Sequence, residues 1–281
     1  MDDVKILYAN GDSWTAGDIV DPNLFGNDLA EVHHPDNNQY RLPRVWPHKL
    51  GKLLNVDVLN QSIAGSSNDG IVRRVLKKVN KLLKEYNSED LFVIIGWSSP
   101  ERRDWFIDTQ WRTMYPAQIH QEFDVQAIGE KSEDLAQFYK TYLTHFWEKS
   151  EYIERYIQQT LLLHYYLKNK NIKHMFFDAF YEKKIVKKGK WFKSKGESEF
   201  TAGGMYCDDE IQDTISNSTY VEEFKLIRDD IFKSKSFRKF LMIDNDKFDE
   251  NLWDGYHPNE KGHELWAKEL YEDINDKINN I

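Results

Sequence analysis

The chain has 281 residues, and its 38 Lys and Arg against 47 Asp and Glu give a formal net charge of -9. This acidic balance argues against a nucleic acid backbone or an anionic membrane surface as the main partner. A hydrophobic content of 40%, with 14% aromatic residues, is enough to bury a large core and excludes a wholly disordered chain. The apolar runs are far shorter than the ~20 residues that cross a bilayer. We expect one domain over residues 1–281.

Short apolar runs that end at turn residues predict the strands, and apolar residues at helical spacing predict the helices. The predicted strands cover residues 4–9, 56–59, 91–95, 174–180 and 240–243. The predicted helices cover residues 46–54, 71–83, 132–169 and 260–278. Strands that alternate with helices indicate a three-layer α/β/α sandwich around a parallel, flavodoxin-like sheet. The polar segments at about 18–44 and 181–235 are interpreted as insertions, the second as an excursion or a lid and not a second core.

Polar turns follow the predicted strands, and ligands of parallel sheets bind outside the carboxyl ends of the strands. Ser13 lies in the turn after the first strand, and His257 and Asp254 lie in a loop near the other end of the chain. A hydroxyl nucleophile, an imidazole base and a carboxylate that orients the base are the parts needed for acyl transfer. Their spacing predicts that Asp254 holds Nδ1 of His257 while Nε2 faces Ser13.

These motifs resemble those of the SGNH, or GDSL, hydrolase superfamily. Gly11-Asp12-Ser13 corresponds to the first block of that family, and Asp254-Gly255-Tyr256-His257 corresponds to its last block. Asn60-Gln61-Ser62-Ile63-Ala64-Gly65 resembles the second block, whose glycine N–H lines the oxyanion hole. The resemblance therefore implies a catalytic triad of Ser13, His257 and Asp254, with Gly65 as an oxyanion donor. It requires neither a metal nor an organic cofactor.

The third block departs from the family pattern of Gly-x-Asn-Asp. Here Gly96-Trp97-Ser98-Ser99 places Ser98 where the family has an asparagine that donates to the oxyanion. Ser98 could donate through its hydroxyl, and Asn68 offers an amide close to the oxyanion glycine, while Arg102 and Arg103 could supply positive charge. We favour Asn68 as the substitute because of its reach and chemistry.

The resemblance implies a serine hydrolase that cleaves O-acyl esters, with an O-acetyl group on a carbohydrate as the expected substrate. An acylated small molecule is the wider class of partner. Trp105, Phe106, Trp111 and Tyr115 follow the third block and either wall a sugar-binding cleft or pack in the core. Two alternatives stay open: a non-catalytic glycan-binding or structural protein on the same fold, and an O-acyltransferase with the same triad.

Three histidines near the N-terminus do not indicate a metal site. His33, His34 and His48 lack the carboxylate or cysteine spacing of such a site, so we interpret them as surface histidines. The acidic N-terminus is unlike a signal peptide, which predicts a cytoplasmic protein. A virion-associated protein is the alternative if a phage encodes the chain.

Overall fold

A parallel sheet of four strands lies at the centre of the fold. The computed structural model describes residues 4–26, 28–107, 109–114, 132–180, 218–233, 235–243, 248–255 and 257–279. Its strands are β1 (Ile6–Asn10), β2 (Asp57–Asn60), β3 (Leu91–Trp97), β4 (Arg103–Ile107), β5 (Gln110–Met114), β6 (Lys173–Asp178), β7 (Trp253–Asp254) and β8 (His257–Pro258). The central sheet has the order β2-β1-β3-β6 with every pair parallel. β4 pairs with β5, and β7 with β8, as two antiparallel hairpins.

Helices cover both faces of the central sheet. They are α1 (Ser13–Ala16), α2 (Pro22–Phe25), α3 (Asn38–Arg41), α4 (Trp46–Leu54), α5 (Asn68–Leu82), α6 (Ser132–His145), α7 (Lys149–Asn169), α8 (Val221–Ile231), α9 (Phe237–Phe240) and α10 (Glu260–Asn279). One core cluster joins α5, α7 and α8 to the sheet, and a second joins α4 and α10 to it. β1 and β3 are buried along their whole length, which explains their unbroken apolar sequences.

The predicted α/β class with a parallel central sheet is confirmed. Four of the five predicted strands are present, but the strand predicted at residues 240–243 is wrong. Residue 240 is instead the last residue of helix α9, whose N-terminus Ser236 caps by accepting a hydrogen bond from the Lys239 N–H. The helical region predicted at 132–169 consists of two helices, α6 and α7.

The strand predicted at residues 91–95 extends to Trp97, so Gly96 lies inside β3. A Cβ atom on Gly96 would lie 2.6 Å from Thr15 Oγ1 and 2.7 Å from the Phe177 ring. The glycine therefore allows a close approach of β3 to the helix that carries Ser13 and to the neighbouring strand.

The structure describes nearly all of the first expected insertion but only part of the second. The segment 18–44 has short helical turns joined by Asn37, whose Nδ2 donates to the carbonyls of Ile19 and Val32 at 2.9 Å each. Residues 181–217 of the second insertion lie outside the described residues. In its remaining part, Phe224 and Phe232 belong to a buried core cluster, so this part is a layer of the fold. Across the described ranges, no helix is both long and apolar enough to span a bilayer.

Candidate active site

The turn after β1 presents Ser13 at the edge of the sheet. Ser13 is the first residue of α1, and Asp12 is the N-cap, whose side chain accepts a hydrogen bond from the Trp14 N–H at 3.0 Å. A short side chain with a carboxylate at the N-cap satisfies one free N–H of the first helical turn. The turn is tight because Gly11 lies against Thr15 and the Gly96 carbonyl, where a Cβ would come within 2.4 and 2.9 Å.

Asp12 is fully buried and joins the nucleophile turn to the end of β3. Its Oδ2 accepts a hydrogen bond from Ser98 Oγ at 2.8 Å and lies 3.4 Å from Arg102 Nη1. Burial raises the pKa of the Asp12 carboxyl, and the nearby Arg102 charge opposes that shift. The carboxylate therefore organises the site around Ser13 while pointing away from bulk solvent.

The β7–β8 hairpin brings His257 to Ser13. His257 Nε2 lies 2.9 Å from Ser13 Oγ, so the structure joins the two residues as the sequence predicts. Asp254 lies directly across the hairpin from His257 in the strand register. Its carboxylate is exposed, however, and makes no hydrogen bond to His257 within the described residues. The expected hydrogen bond between the Asp254 carboxylate and Nδ1 of His257 is therefore not formed among the described residues. The two residues are linked only by the backbone pairing of β7 with β8.

A second acid contacts the imidazole at the nitrogen that faces the serine. Asp18 Oδ2 lies 3.1 Å from His257 Nε2, and the Asp18 side chain is 13% exposed. Burial and the like charge of Asp12 raise the pKa of Asp18 to about 7. Burial, followed by the Arg102 charge, lowers the pKa of His257 to about 4. His257 is thus neutral at pH 7, as a general base must be.

The loop after β2 lies beside the nucleophile turn. The Ile63 N–H donates to the Gly11 carbonyl at 3.3 Å, and Asn60 Nδ2 donates to the Thr15 carbonyl at 3.1 Å. Gly65 follows with φ of +73°, a left-handed conformation that favours glycine. Within the described residues, the Gly65 N–H donates to no acceptor, so it is available to a ligand.

The two side chains proposed as oxyanion donors contact each other. Asn68 Nδ2 donates to the Ser98 carbonyl at 3.1 Å, and Asn68 Oδ1 accepts from the Ser98 N–H at 2.9 Å. The Ser98 hydroxyl donates to Asp12 and accepts from Arg102 Nη1 at 3.0 Å. Both side chains therefore hold the end of β3 in place. Their hydrogen-bonding groups are already used in these contacts and are not reserved for an oxyanion beside Ser13.

The segment 18–44 contributes residues whose part in the site the sequence reasoning did not identify. Asp18 is one of them, and Arg41 holds the chain before it by donating to the Ala16 carbonyl. His33 Nε2 accepts the Ala64 N–H at 3.1 Å and so supports the loop that carries Gly65. Asp18 lies five residues after Ser13, and this proximity was the one signal in the sequence that could have found it. Among the described side chains, no group of three or more His, Cys, Asp or Glu could hold a metal ion.

The β4–β5 hairpin starts directly after Arg102 and is tied to the same loops. Ser67 Oγ donates to Asp104 Oδ1 at 2.5 Å. Trp105 packs against two rings of α6, whereas Phe106 and Trp111 pair with each other at 5.2 Å and are exposed. The aromatic residues therefore divide into a packed group and an exposed pair. Tyr115 lies outside the described residues.

These observations define an α/β protein with a serine–histidine pair at the carboxyl edge of a parallel sheet. The chain belongs to the family of unknown function DUF6071, whose model matches residues 27–201. The matched range includes neither Ser13 nor His257. No curated protein matches the sequence.

Several solved structures resemble the whole chain at low identity. The esterase EstA from Pseudoalteromonas sp. is 13% identical over 98% of this chain and 99% of its own, with a TM-score of 0.47. A member of the lipolytic protein G-D-S-L family from Veillonella parvula is 13% identical over 96% and 97%, with a TM-score of 0.40. Phospholipase A1 from Streptomyces albidoflavus is 13% identical over 98% and 99%, with a TM-score of 0.38.

Proposed function

We propose that this protein is a serine hydrolase that cleaves O-acyl esters. The observation that carries the proposal is the 2.9 Å distance between Ser13 Oγ and His257 Nε2 at the carboxyl edge of the sheet. A neutral imidazole in hydrogen-bond contact with a hydroxyl is the arrangement that activates a serine nucleophile.

In the proposed reaction, His257 takes the proton of Ser13 as Oγ attacks the ester carbonyl. The N–H groups of Ser13 and Gly65 stabilise the oxyanion, and His257 then protonates the leaving alcohol. Water releases the acyl group from Ser13 in a second, equivalent step. Asp254 remains the proposed partner of Nδ1, which its position across the hairpin from His257 would allow after a side-chain rotation.

We propose an acylated carbohydrate, with an O-acetyl group, as the substrate class. The support is the exposed pair of Phe106 and Trp111 on the hairpin that leaves the site after Arg102. Exposed aromatic faces are suited to stacking on the apolar faces of sugar rings. This point is tested by comparing two soluble acetyl esters, acetylated xylan oligomers, which contain sugar rings, and p-nitrophenyl acetate, which does not. Phe106→Ala with Trp111→Ala should lower kcat/KM for the oligomers only.

The reaction is tested with the wild type beside Ser13→Ala and His257→Ala. We expect Ser13→Ala and His257→Ala to lose rapid fluorophosphonate labelling and to release p-nitrophenol from p-nitrophenyl acetate only at the lysine background rate, because background lysine chemistry survives both substitutions whereas catalysis by Ser13 and His257 does not. Lys49→Ala serves as the control, since this lysine pairs with Glu260 at the surface. Equal rates in all four proteins would contradict the proposal. An acyl product that forms only when an alcohol acceptor is added would indicate an O-acyltransferase.

A non-catalytic binding protein is the second candidate function. The hydrogen bonds of the site favour it. Asn68 bonds to the Ser98 backbone, and the Ser98 hydroxyl bonds to Asp12, so only backbone N–H groups are left to stabilise an oxyanion. The fluorophosphonate experiment separates the two candidates, because a binding protein has no activated serine to label.

A further inference from the structure

The base nitrogen of His257 has two oxygen neighbours where the proposed reaction needs one. Nε2 lies 2.9 Å from Ser13 Oγ and 3.1 Å from Asp18 Oδ2. A neutral imidazole nitrogen carries either one proton or one lone pair. It can therefore accept a proton from the serine only when it does not share a proton with the aspartate.

The surroundings of Asp18 favour retention of a proton. Its Oδ1 is buried and has no hydrogen-bond partner among the residues that the structure describes. Burial and the Asp12 charge raise the pKa of Asp18, while Arg41 and Arg102 lower it, and the result is about 7. A carboxyl that protonates near neutrality next to an imidazole forms a coupled pair, whose titration belongs to both groups.

A further imidazole that interacts with His257, that of His263, is uncharged at neutral pH. His263 of α10 is fully buried, and its Nδ1 accepts the Trp46 N–H at 3.3 Å. Burial lowers the pKa of His263 to about 3, so this imidazole is neutral above pH 4. Among the described residues, the charged groups that shift the pKa values of Asp18 and His257 are therefore Asp12, Arg41 and Arg102.

We propose that Asp18 and His257 share one exchangeable proton, and that loss of this proton to solvent frees Nε2 to accept the proton of Ser13. This inference rests on the proposed function, because it assigns the protonation state in which the nucleophile is active. Asp18 thereby becomes a second acid of the site, supplied by the segment that directly follows the nucleophile helix.

The shared proton has opposite consequences below and above its midpoint. When the pair is protonated, Nε2 is occupied and Ser13 has no base. When the pair is deprotonated, Ser13 transfers its proton to Nε2, and the Asp18 carboxylate stabilises the imidazolium that forms. Activity should therefore rise with pH near 7, the pKa of Asp18, and not near the pKa of about 4 for His257.

The test is a pH titration of the ¹⁵N-labelled imidazole of His257 by NMR, with its signal assigned by loss in His257→Gln. We expect a midpoint near pH 7 in the wild type and a midpoint lower by roughly 1–3 units in Asp18→Asn, because removal of a nearby anion lowers the proton affinity of an imidazole. Asp28→Asn is the control, since this exposed carboxylate in the same segment accepts the Ala30 N–H, a hydrogen bond that asparagine can also accept. Asp18→Ser is a second variant should Asp18→Asn fail to fold.

The rate of fluorophosphonate labelling against pH is the second measurement. Its acid limb should move to lower pH in Asp18→Asn and stay in place in Asp28→Asn. Absence of labelling in the wild type would refute the proposed function, yet the NMR titration would still decide whether the proton is shared. Identical His257 midpoints in the wild type, Asp18→Asn and Asp18→Ser would overturn the inference.

Discussion

The N-terminal turn that carries Ser13 and the C-terminal hairpin that carries His257 meet at one hydrogen bond, but they are built differently. Asn10, Asp12 and Ser13 are buried, and hydrogen bonds link Asp12 to the end of β3. In the hairpin, Asp254 is exposed, and β7 and β8 pair at two residue positions, Trp253 with Pro258 and Asp254 with His257. We infer that substitutions in the turn cost both folding and activity, whereas substitutions in the hairpin cost activity with little loss of stability.

The largest effect is expected for Asp12→Ala. The substitution removes the N-cap of α1 and leaves the guanidinium of Arg102, which is 11% exposed, without one of its carboxylate partners. Breaking a buried ion pair by removal of one member destabilises a protein by about 3–5 kcal/mol. Urea denaturation followed by circular dichroism measures the loss of unfolding free energy.

Asp21→Ala is the matched control for Asp12→Ala. Asp21 also caps a four-residue helix, but α2 has no buried residue. Loss of a cap alone costs about 1 kcal/mol. Equal losses in the two variants would show that the Asp12 contacts with Ser98 and Arg102 add nothing to stability, and the contrast between turn and hairpin would lose its basis.

Asn68→Ala should have the next largest effect. It leaves the buried N–H and carbonyl of Ser98 without their partners, at about 1–3 kcal/mol for each unsatisfied group. Because the amide is held by Ser98, we expect kcat of the folded variant to fall less than about tenfold. A loss of 10²–10³ in kcat would instead assign the side chain to the oxyanion.

Asn80→Ala is the control for Asn68→Ala because both residues lie on α5. Asn80 is exposed, and its Nδ2 donates to the Leu76 carbonyl of the same helix. A surface substitution of this kind changes the unfolding free energy by about 0.5 kcal/mol or less. Thermal unfolding of both variants beside the wild type gives the comparison directly.

The elements of the fold that the sequence predicts are those with one dominant signal. β3 is apolar throughout and β1 is apolar up to Asn10 because both faces of these strands are covered, and α5 repeats its apolar residues at helical spacing. The β4–β5 hairpin was missed because its residues are mainly polar or aromatic and its burial is partial. Its stability comes from contacts with distant segments, among them Asp104 with Ser67, which no local pattern reports.

The same distinction holds within the candidate site. The contact of Ser13 with His257 follows from motifs at two chain ends that a parallel sheet brings to one edge. The role of Asp18 depends on the path of the segment 18–44, which Asn37 holds through contacts with Ile19 and Val32. An irregular segment of this kind has no periodicity, so its side chains can be placed only when the structure is known.

The smallest effect on stability is expected for Asp254→Asn, and this variant tests the hairpin half of the comparison. Its carboxylate is exposed and makes no hydrogen bond to His257 among the described residues, so the unfolding free energy should change by about 0.5 kcal/mol or less. We expect kcat to fall only about tenfold. The reason is that the Asp254 carboxylate can orient the His257 ring only after it rotates toward Nδ1, so it contributes less than a carboxylate already bonded to Nδ1 would.

Comparison of kcat for Asp254→Asn with kcat for Asp18→Asn at pH 8, above the pKa of about 7 for Asp18, decides which acid the base depends on. A fall near 10⁴ in Asp254→Asn, the size seen when a triad aspartate fixes the imidazole tautomer, would show that the hairpin rearranges around substrate. An unchanged kcat would leave Asp18 as the acid that stabilises the imidazolium. In that case the N-terminal turn and the segment after it would supply both the nucleophile and the partner of its base.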